Sequence, residues 1–392
     1  MAYSNVEKVN IERTKFANQS TRIPYIVIDN FPKLGFLTAL RFLEYVNENP
    51  EGVISLPTGK TPEYFIKWTI YLIENWSNGK LEKLRNENGL IIKEKPELSG
   101  LQFVQIDEFY PINPNQHNSF YNYVQNFYMH GFGLDTKRGM FMNCNEIPRV
   151  KKKTLLDIFP KQTVDLTLRY RDPKSILEED QQKTIFMIDQ WCTDYENGIR
   201  DKGGIGFFLG GIGPDGHIAF NVRGSSHSST TRLMETNFET QAAAATDLGG
   251  IEIAKNRLVI TIGLSTITSN PNATAIIIAA GESKATIVKE SLENDKSIKF
   301  PASSLQQLKG GRFYLTKGAA SKLDDVVKYK LQHESWTKVK MEKTVVDSCK
   351  SLNKFGHHLT INDLEKSPMG DMIPKMDENT IPDVINSFKS KI

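Results

Sequence analysis

Between residues 24 and 315 the sequence alternates short apolar runs with longer stretches whose apolar residues recur every three or four positions. A short β-branched or apolar run bounded by Gly or Pro predicts a buried strand, and the wider spacing predicts a helix. Strands are therefore expected at 24–29, an edge strand, and at 52–56, 101–106, 207–209, 258–263, 275–280 and 312–315. Helices are expected at 36–47, 63–76, 117–130 and 181–200, the last carrying Ile185, Ile188 and Trp191 at spacings of three. Alternation at this length predicts an α/β chain of three layers, αβα, around a mostly parallel sheet covered on both faces.

The flanks of that pattern differ from it. Residues 1–22 are polar and read as an N-terminal tail or peripheral helix, so the α/β domain spans 23–318, with inserts near 80–100 and 150–182 where the core signal fades. Residues 319–392 are charged and strand-poor and read as a mainly helical C-terminal extension. Composition changes this picture little: 39% hydrophobic and 24% charged residues make a globular balance. A net charge of +3, with Lys and Arg spread along the chain, offers no concentrated patch for nucleic acid, and Lys151 to Lys153 read as a solvated loop. The three cysteines, Cys144, Cys192 and Cys349, form neither a disulfide framework nor a zinc pattern and point to a reducing compartment. With no secretory signal pattern and no apolar run long enough for a bilayer, the expectation is a cytoplasmic protein without membrane or nucleic-acid partners.

Four of the expected strand ends carry groups capable of chemistry. Residues 207–221, Phe-Phe-Leu-Gly-Gly-Ile-Gly-Pro-Asp-Gly-His-Ile-Ala-Phe-Asn, break a strand into a turn with Gly210, Gly211 and Gly213, then present Asp215 and His217. Glycine lets backbone approach a ligand closely. After the strand at 52–56 comes Pro57-Thr58-Gly59-Lys60-Thr61-Pro62, then a helix. A helix N-terminus of this kind offers free N–H groups and positive dipole to an anion. Only one glycine precedes the lysine, so the Walker A spacing is missing and no nucleotide is implied.

Asp107 and Glu108 follow the strand at 101–106, and alternation lets one enter a cleft while the other turns back to a structural partner. Gly281 and Lys284 repeat the sequence of strand, glycine and cation. Any one of these is compatible with an ordinary turn. Together they count for more, because parallel strands bring all their carboxyl ends to one edge. An anion cradle, an acid/base pair and a second carboxylate in one cleft suit proton transfer on a sugar phosphate. Residues 223–246, polar and then alanine-rich, read as an active-site loop or lid leading into a helix. His130, His227, His333, His357 and His358 have no metal-binding spacing and read as surface or packing residues, with His227 just beyond the catalytic turn.

Several of these pieces resemble the glucosamine-6-phosphate deaminase family, which shares a superfamily with 6-phosphogluconolactonases. They are Leu56-Pro57-Thr58-Gly59, Asp107-Glu108-Phe109 with His117 and Ser119-Phe120-Tyr121, the Gly-Pro-Asp-Gly-His-Ile-Ala-Phe-Asn block of 213–221, and Gly281-Glu282-Ser283-Lys284-Ala285. Ile218 to Asn221 and Ser119 to Tyr121 lean toward the deaminase branch. The resemblance implies a Rossmann-like sheet and a cofactor-free, metal-free isomerisation that releases ammonia and gives fructose 6-phosphate. It implies that His217 opens the pyranose ring, that Asp107 carries a proton between the second and first carbons through an enolamine, and that Asp215 orients and charges the histidine. Thr58, Gly59 and Lys284 are the implied phosphate site, with Lys60, Thr61, Glu108 and Gly211 as further substrate contacts. The implied partner is a small-molecule sugar phosphate, bound by a single chain or a homo-oligomer.

Two positions depart from the family pattern. Val222 stands where deaminases place a glutamate that supports the histidine, and Thr246 stands where an arginine grips the phosphate. Losing one charge-assisted fork weakens phosphate binding by about 1.5–3 kcal/mol. Lys60, Arg223 and Arg232 are the expected sources of a replacement cation. These departures keep two other functions in view: a 6-phosphogluconolactonase-type hydrolase, which needs the histidine but not the glutamate, and a sugar-phosphate-binding homologue with little turnover.

Overall fold

The computed structural model describes residues 3–14, 19–248, 250, 254, 256–333, 335, 337–355, 358, 360, 362–363, 366 and 386. Among the described residues ten strands are formed: β1 (Tyr25–Ile28), β2 (Val53–Ser55), β3 (Gln102–Val104), β4 (Asp107–Tyr110), β5 (Gly139–Met140), β6 (Phe207–Gly211), β7 (Arg232–Met234), β8 (Leu258–Thr261), β9 (Thr274–Ala279) and β10 (Gly310–Thr316). Seven of them make one sheet in the order β1-β10-β9-β6-β2-β3-β5, and every pairing in it is parallel. Phe207, Phe208 and Leu209 of central β6 are fully buried, which is why that strand reads as an unbroken apolar run rather than an alternating one.

The helices that cover the sheet follow from their own patterns. Phe31–Glu48 starts at Asn30, whose side chain accepts from the Lys33 N–H, and has a proline in its first turn. Its Phe42 meets Phe207 on the sheet at 5.4 Å and Phe65 of helix Glu63–Glu74 at 5.5 Å, an aromatic wedge that fixes both helices against β6. The mostly parallel three-layer α/β architecture is thus the one expected. β1 is an edge strand, as its sequence implied.

Several local expectations are corrected. Residues 258–263 do not join the parallel sheet; β8 pairs antiparallel with β4 and β7 in a separate three-stranded sheet. Asp107 and Glu108 accordingly do not end a strand but open one, opposite Thr261 and Ile260. Residues 223–246 lead into helix Phe238–Leu248 as expected, but the stretch before it also holds strand β7. The aromatic stretch expected as one helix is α-helical over Phe120–Val124 and then widens into a π-helix over Gln125–His130. Helix Ile176–Asp201 begins earlier than expected because Ser175 caps it, and it takes in the end of the 150–182 insert.

The N-terminal segment is not a loose tail. Helix Asn5–Arg13 opens with a reciprocal capping box between Ser4 and Glu7, and it buries Val6 completely. The described chain falls into two compact units, Met1–Ser321 and Lys322–Ile392; the second contains helices Asp324–His333 and Lys338–Leu352. His357 and the Thr246 side chain lie outside the described residues.

Candidate active site

Strand order sets where a cleft can open. From β2 the chain steps outward to β3 and β5, whereas β6, β9 and β10 are laid down on the other side, so the order reverses between β2 and β6. Ile54 pairs with Phe207 and Ser55 with Phe208, which brings the carboxyl ends of both strands level. Chains diverging from such a switch point leave a crevice. A cavity lies there, with Thr58 and Thr61 from the turn after β2, Gly210 and Gly211 from the end of β6 and Gly213 from the turn after it in its wall. Asp107 and His217 line the same cavity.

Gly213 is required by the histidine it carries. A Cβ there would sit 2.0–2.4 Å from three atoms of the His217 ring, so the imidazole lies flat against bare backbone. His217 Nδ1 and Asp215 Oδ1 are 2.5 Å apart, and the Phe220 ring stacks alongside with centroids 6.0 Å apart. The Asp215 Oδ2 atom accepts from the Arg223 N–H at 3.0 Å and from Asn237 Nδ2 at 2.6 Å. Burial pushes the Asp215 carboxyl up, but the hydrogen bond and charge of His217, with those two donors, outweigh it and hold the group well below the usual carboxylate range. An ionised Asp215 directs the Nδ1 proton of His217 to itself and leaves Nε2 free to take a proton. Asp215 is 2% exposed, so this pair works largely out of water.

Asp107 and Glu108 divide as alternation requires. Asp107 lines the cavity. Burial, and then the neighbouring Glu108 charge, raise its carboxyl well above the ordinary value, so it holds a proton more readily than a surface aspartate. Glu108 is fully buried and takes four donors: Phe109 N and Phe120 N on Oε1, and Ser119 Oγ and Tyr121 N on Oε2, at 2.6–3.0 Å. Burial pushes it up to about 7 while those donors pull the other way. Its expected place among the substrate contacts is corrected: both oxygens are occupied by the start of helix Phe120–Val124, and it does not line the cavity.

The remaining expected residues divide similarly. Thr58, Thr61 and Gly211 face the cavity, and a side chain at 211 would crowd Thr61 at 3.0 Å. Gly59 has a φ of 77° and gives its carbonyl to Tyr123 Oη at 2.9 Å. Lys60 is exposed and outside the lining. Lys284 donates to the Ile212 carbonyl at 2.8 Å, bracing the glycine turn from behind; burial lowers its ammonium and the Asp215 charge partly restores it. Neither Arg223 nor Arg232 lines the cavity. Arg223 lies over the Phe300 ring, and Arg232 donates to Asn221 Oδ1 and Ser225 Oγ. Val222 is also outside the lining. Sequence reasoning missed Phe120, Phe220 and Ala219 as wall residues, and Asn237 and Thr240 as partners of the turn that bears Asp215 and His217. Of these, Phe120, Ala219 and Phe220 stand in the segments that carry the resemblance, and Ala219 has a φ of 50°, rare for a residue with a side chain. Among the described residues no group of three or more His, Cys, Asp or Glu is placed to hold a metal, and no helix is long and apolar enough to cross a membrane.

No protein-family model matches the chain. It is 37% identical over 119 residues to a glucosamine-6-phosphate isomerase of Candida albicans, a match covering 30% of this chain and 48% of that protein. The chain thus spans about half the length of the first curated relatives it matches. A glucosamine-6-phosphate deaminase of Halothermothrix orenii is 26% identical over 299 residues, 76% of this chain and 99% of its own length. In structure the chain is similar to a monomeric glucosamine-6-phosphate deaminase, with a TM-score of 0.57, 23% identity, and coverage of 76% of this chain and 99% of that one, a likeness that bears on the fold.

Proposed function

We propose that the chain is a member of the glucosamine-6-phosphate deaminase/isomerase family, to whose proteins it is similar, and that it converts glucosamine 6-phosphate to fructose 6-phosphate and ammonia. The observation that carries this reading is that Asp107, which opens β4 of the small sheet, and His217, in the turn after β6 of the large one, line one cavity. His217 Nε2 takes the proton of the anomeric hydroxyl and a proton passes to the ring oxygen, so the ring C–O bond breaks and the aldehyde forms. Asp107, ionised at that stage, removes the proton on the second carbon while the aldehyde oxygen takes a proton from solvent, giving the enolamine, and Asp107 then delivers its proton to the first carbon to leave an imine at the second. Water then adds at the second carbon and ammonia leaves. The hydroxyls of Thr58 and Thr61, at the start of helix Glu63–Glu74, receive the phosphate.

The test is ammonia release from glucosamine 6-phosphate by the purified protein, abolished in Asp107→Asn. Acid release from 6-phosphogluconolactone that ignores Asp107 would replace this reading with the hydrolase. Thermal stabilisation by either ligand with no product would replace it with a binding protein. Cytoplasmic residence belongs to the same proposal and rests on the substrate class and three free cysteines; cell fractionation checks it.

A further inference from the structure

The turn bearing Asp215 and His217 is braced by a helix that follows it in sequence. Asn237 opens helix Phe238–Leu248, and its Oδ1 accepts the Thr240 N–H at 3.0 Å. That bond settles the amide orientation, because a backbone N–H needs an oxygen opposite it. The Nδ2 end therefore faces Asp215 Oδ2, at 2.6 Å. Within the first turn of the same helix, buried Thr240 brings Oγ1 to 3.2 Å from His217 Nδ1.

The Nδ1 proton is directed at Asp215, so Thr240 Oγ1 stands beside it as a second acceptor. Among the described residues, the hydrogen bonds reaching these two side chains from outside residues 215–223 come from Asn237 and Thr240. Val222 offers no polar atom for that task. We propose that Asn237 and Thr240 are positioning residues for His217, and that the helix they begin holds the imidazole in its orientation against Asp215. The proposal rests on the reading that His217 moves protons. Two donors on Oδ2 leave Asp215 one oxygen for the histidine, which selects one ring orientation and one tautomer. Lys284, the cation whose charge couples to Asp215, is engaged by the Ile212 carbonyl and does not take this role.

The test uses the full chain and three variants. Asn237→Asp keeps the helix cap, since Asp caps as well as Asn, but sets a carboxylate against Asp215. Thr240→Val removes the oxygen, and Thr240→Ser restores it. Expected for Asn237→Asp and Thr240→Val are a loss of about tenfold or more in kcat on glucosamine 6-phosphate with KM within about threefold, and recovery in Thr240→Ser. Long-range 15N–1H spectra should show the His217 ring protonated at Nδ1 in the parent and mixed between tautomers in the two damaging variants. Unchanged kcat and an unchanged ring signal in both would overturn the proposal. If the parent releases no ammonia, the activity assignment falls by itself, and the ring signal alone still decides whether Asn237 and Thr240 hold the histidine.

Discussion

A missing Cβ and a displaced proton decide most of what happens at single residues. Gly213→Ala would drive a methyl into the His217 ring, so either the imidazole leaves Asp215 or the turn moves. The expected result is a kcat reduced about a hundredfold, checked by steady-state ammonia release. Asp107 gives a second prediction. Its folded carboxyl is raised, so at pH values between its unfolded and folded pKa the folded protein holds a proton that the unfolded chain has lost. Stability from this group is therefore complete below about pH 4 and is lost as pH rises through the folded value. Asp107→Asn should melt higher than the parent at pH 8 and nearly level with it at pH 4, while its turnover disappears. Asp215 has the opposite sign: its stabilisation is present above about pH 4 and fades as acid protonates it. The sequence marked all three positions as special. It did not reveal which carboxylate would be charged, because that depends on burial and on donors such as the Arg223 N–H and Asn237 Nδ2.

Helices and strands are held by a few polar anchors. Glu108 collects four donors, three of them from the start of helix Phe120–Val124 (the Phe120 and Tyr121 N–H groups and the Ser119 hydroxyl), so it fixes that helix and the Phe120 wall of the cavity. Glu108→Gln would turn an amide NH2 toward at least one of those N–H groups. A loss of about 2 kcal/mol or more is expected, measured by urea unfolding, with a raised KM as the wall loosens. The strands of the parallel sheet were legible because burial on both faces makes them apolar throughout, as Phe207 to Leu209 and Ile276 to Ile278 are. The small sheet was not. Its strand β7 is three residues long, with Arg232 and Met234 half-buried around Leu233, and so short a stretch has no period to detect. Strand β8 was found but assigned to the wrong sheet, since an apolar run does not say which neighbour it will pair with.

Across the whole chain, distant segments meet where the sequence gives no notice of it. Glu7 accepts from Tyr314 Oη at 2.9 Å and lies 3.4 Å from Arg312 Nε, both on β10, and Glu44 accepts the Asn5 and Val6 N–H groups. Glu7→Ala should cost roughly 3 kcal/mol by leaving buried groups of β10 without their carboxylate, with kcat per folded molecule unchanged; chemical denaturation and active-site titration check the two halves. A polar N-terminus looks like a tail because its partners are some 300 positions away. By itself the sequence determined the alternation of strands and helices, hence the layered parallel sheet, and it marked the glycine turns and the titratable residues Asp107, Asp215 and His217. These are local properties, written in spacing and in the absence of side chains. Only tertiary structure decided that β2 and β6 lie side by side, that Glu108 serves a helix while Asp107 serves the cavity, and that Asn237 and Thr240 reach the histidine. Those outcomes depend on strand order, burial and hydrogen bonds between segments remote in sequence, which no local pattern encodes.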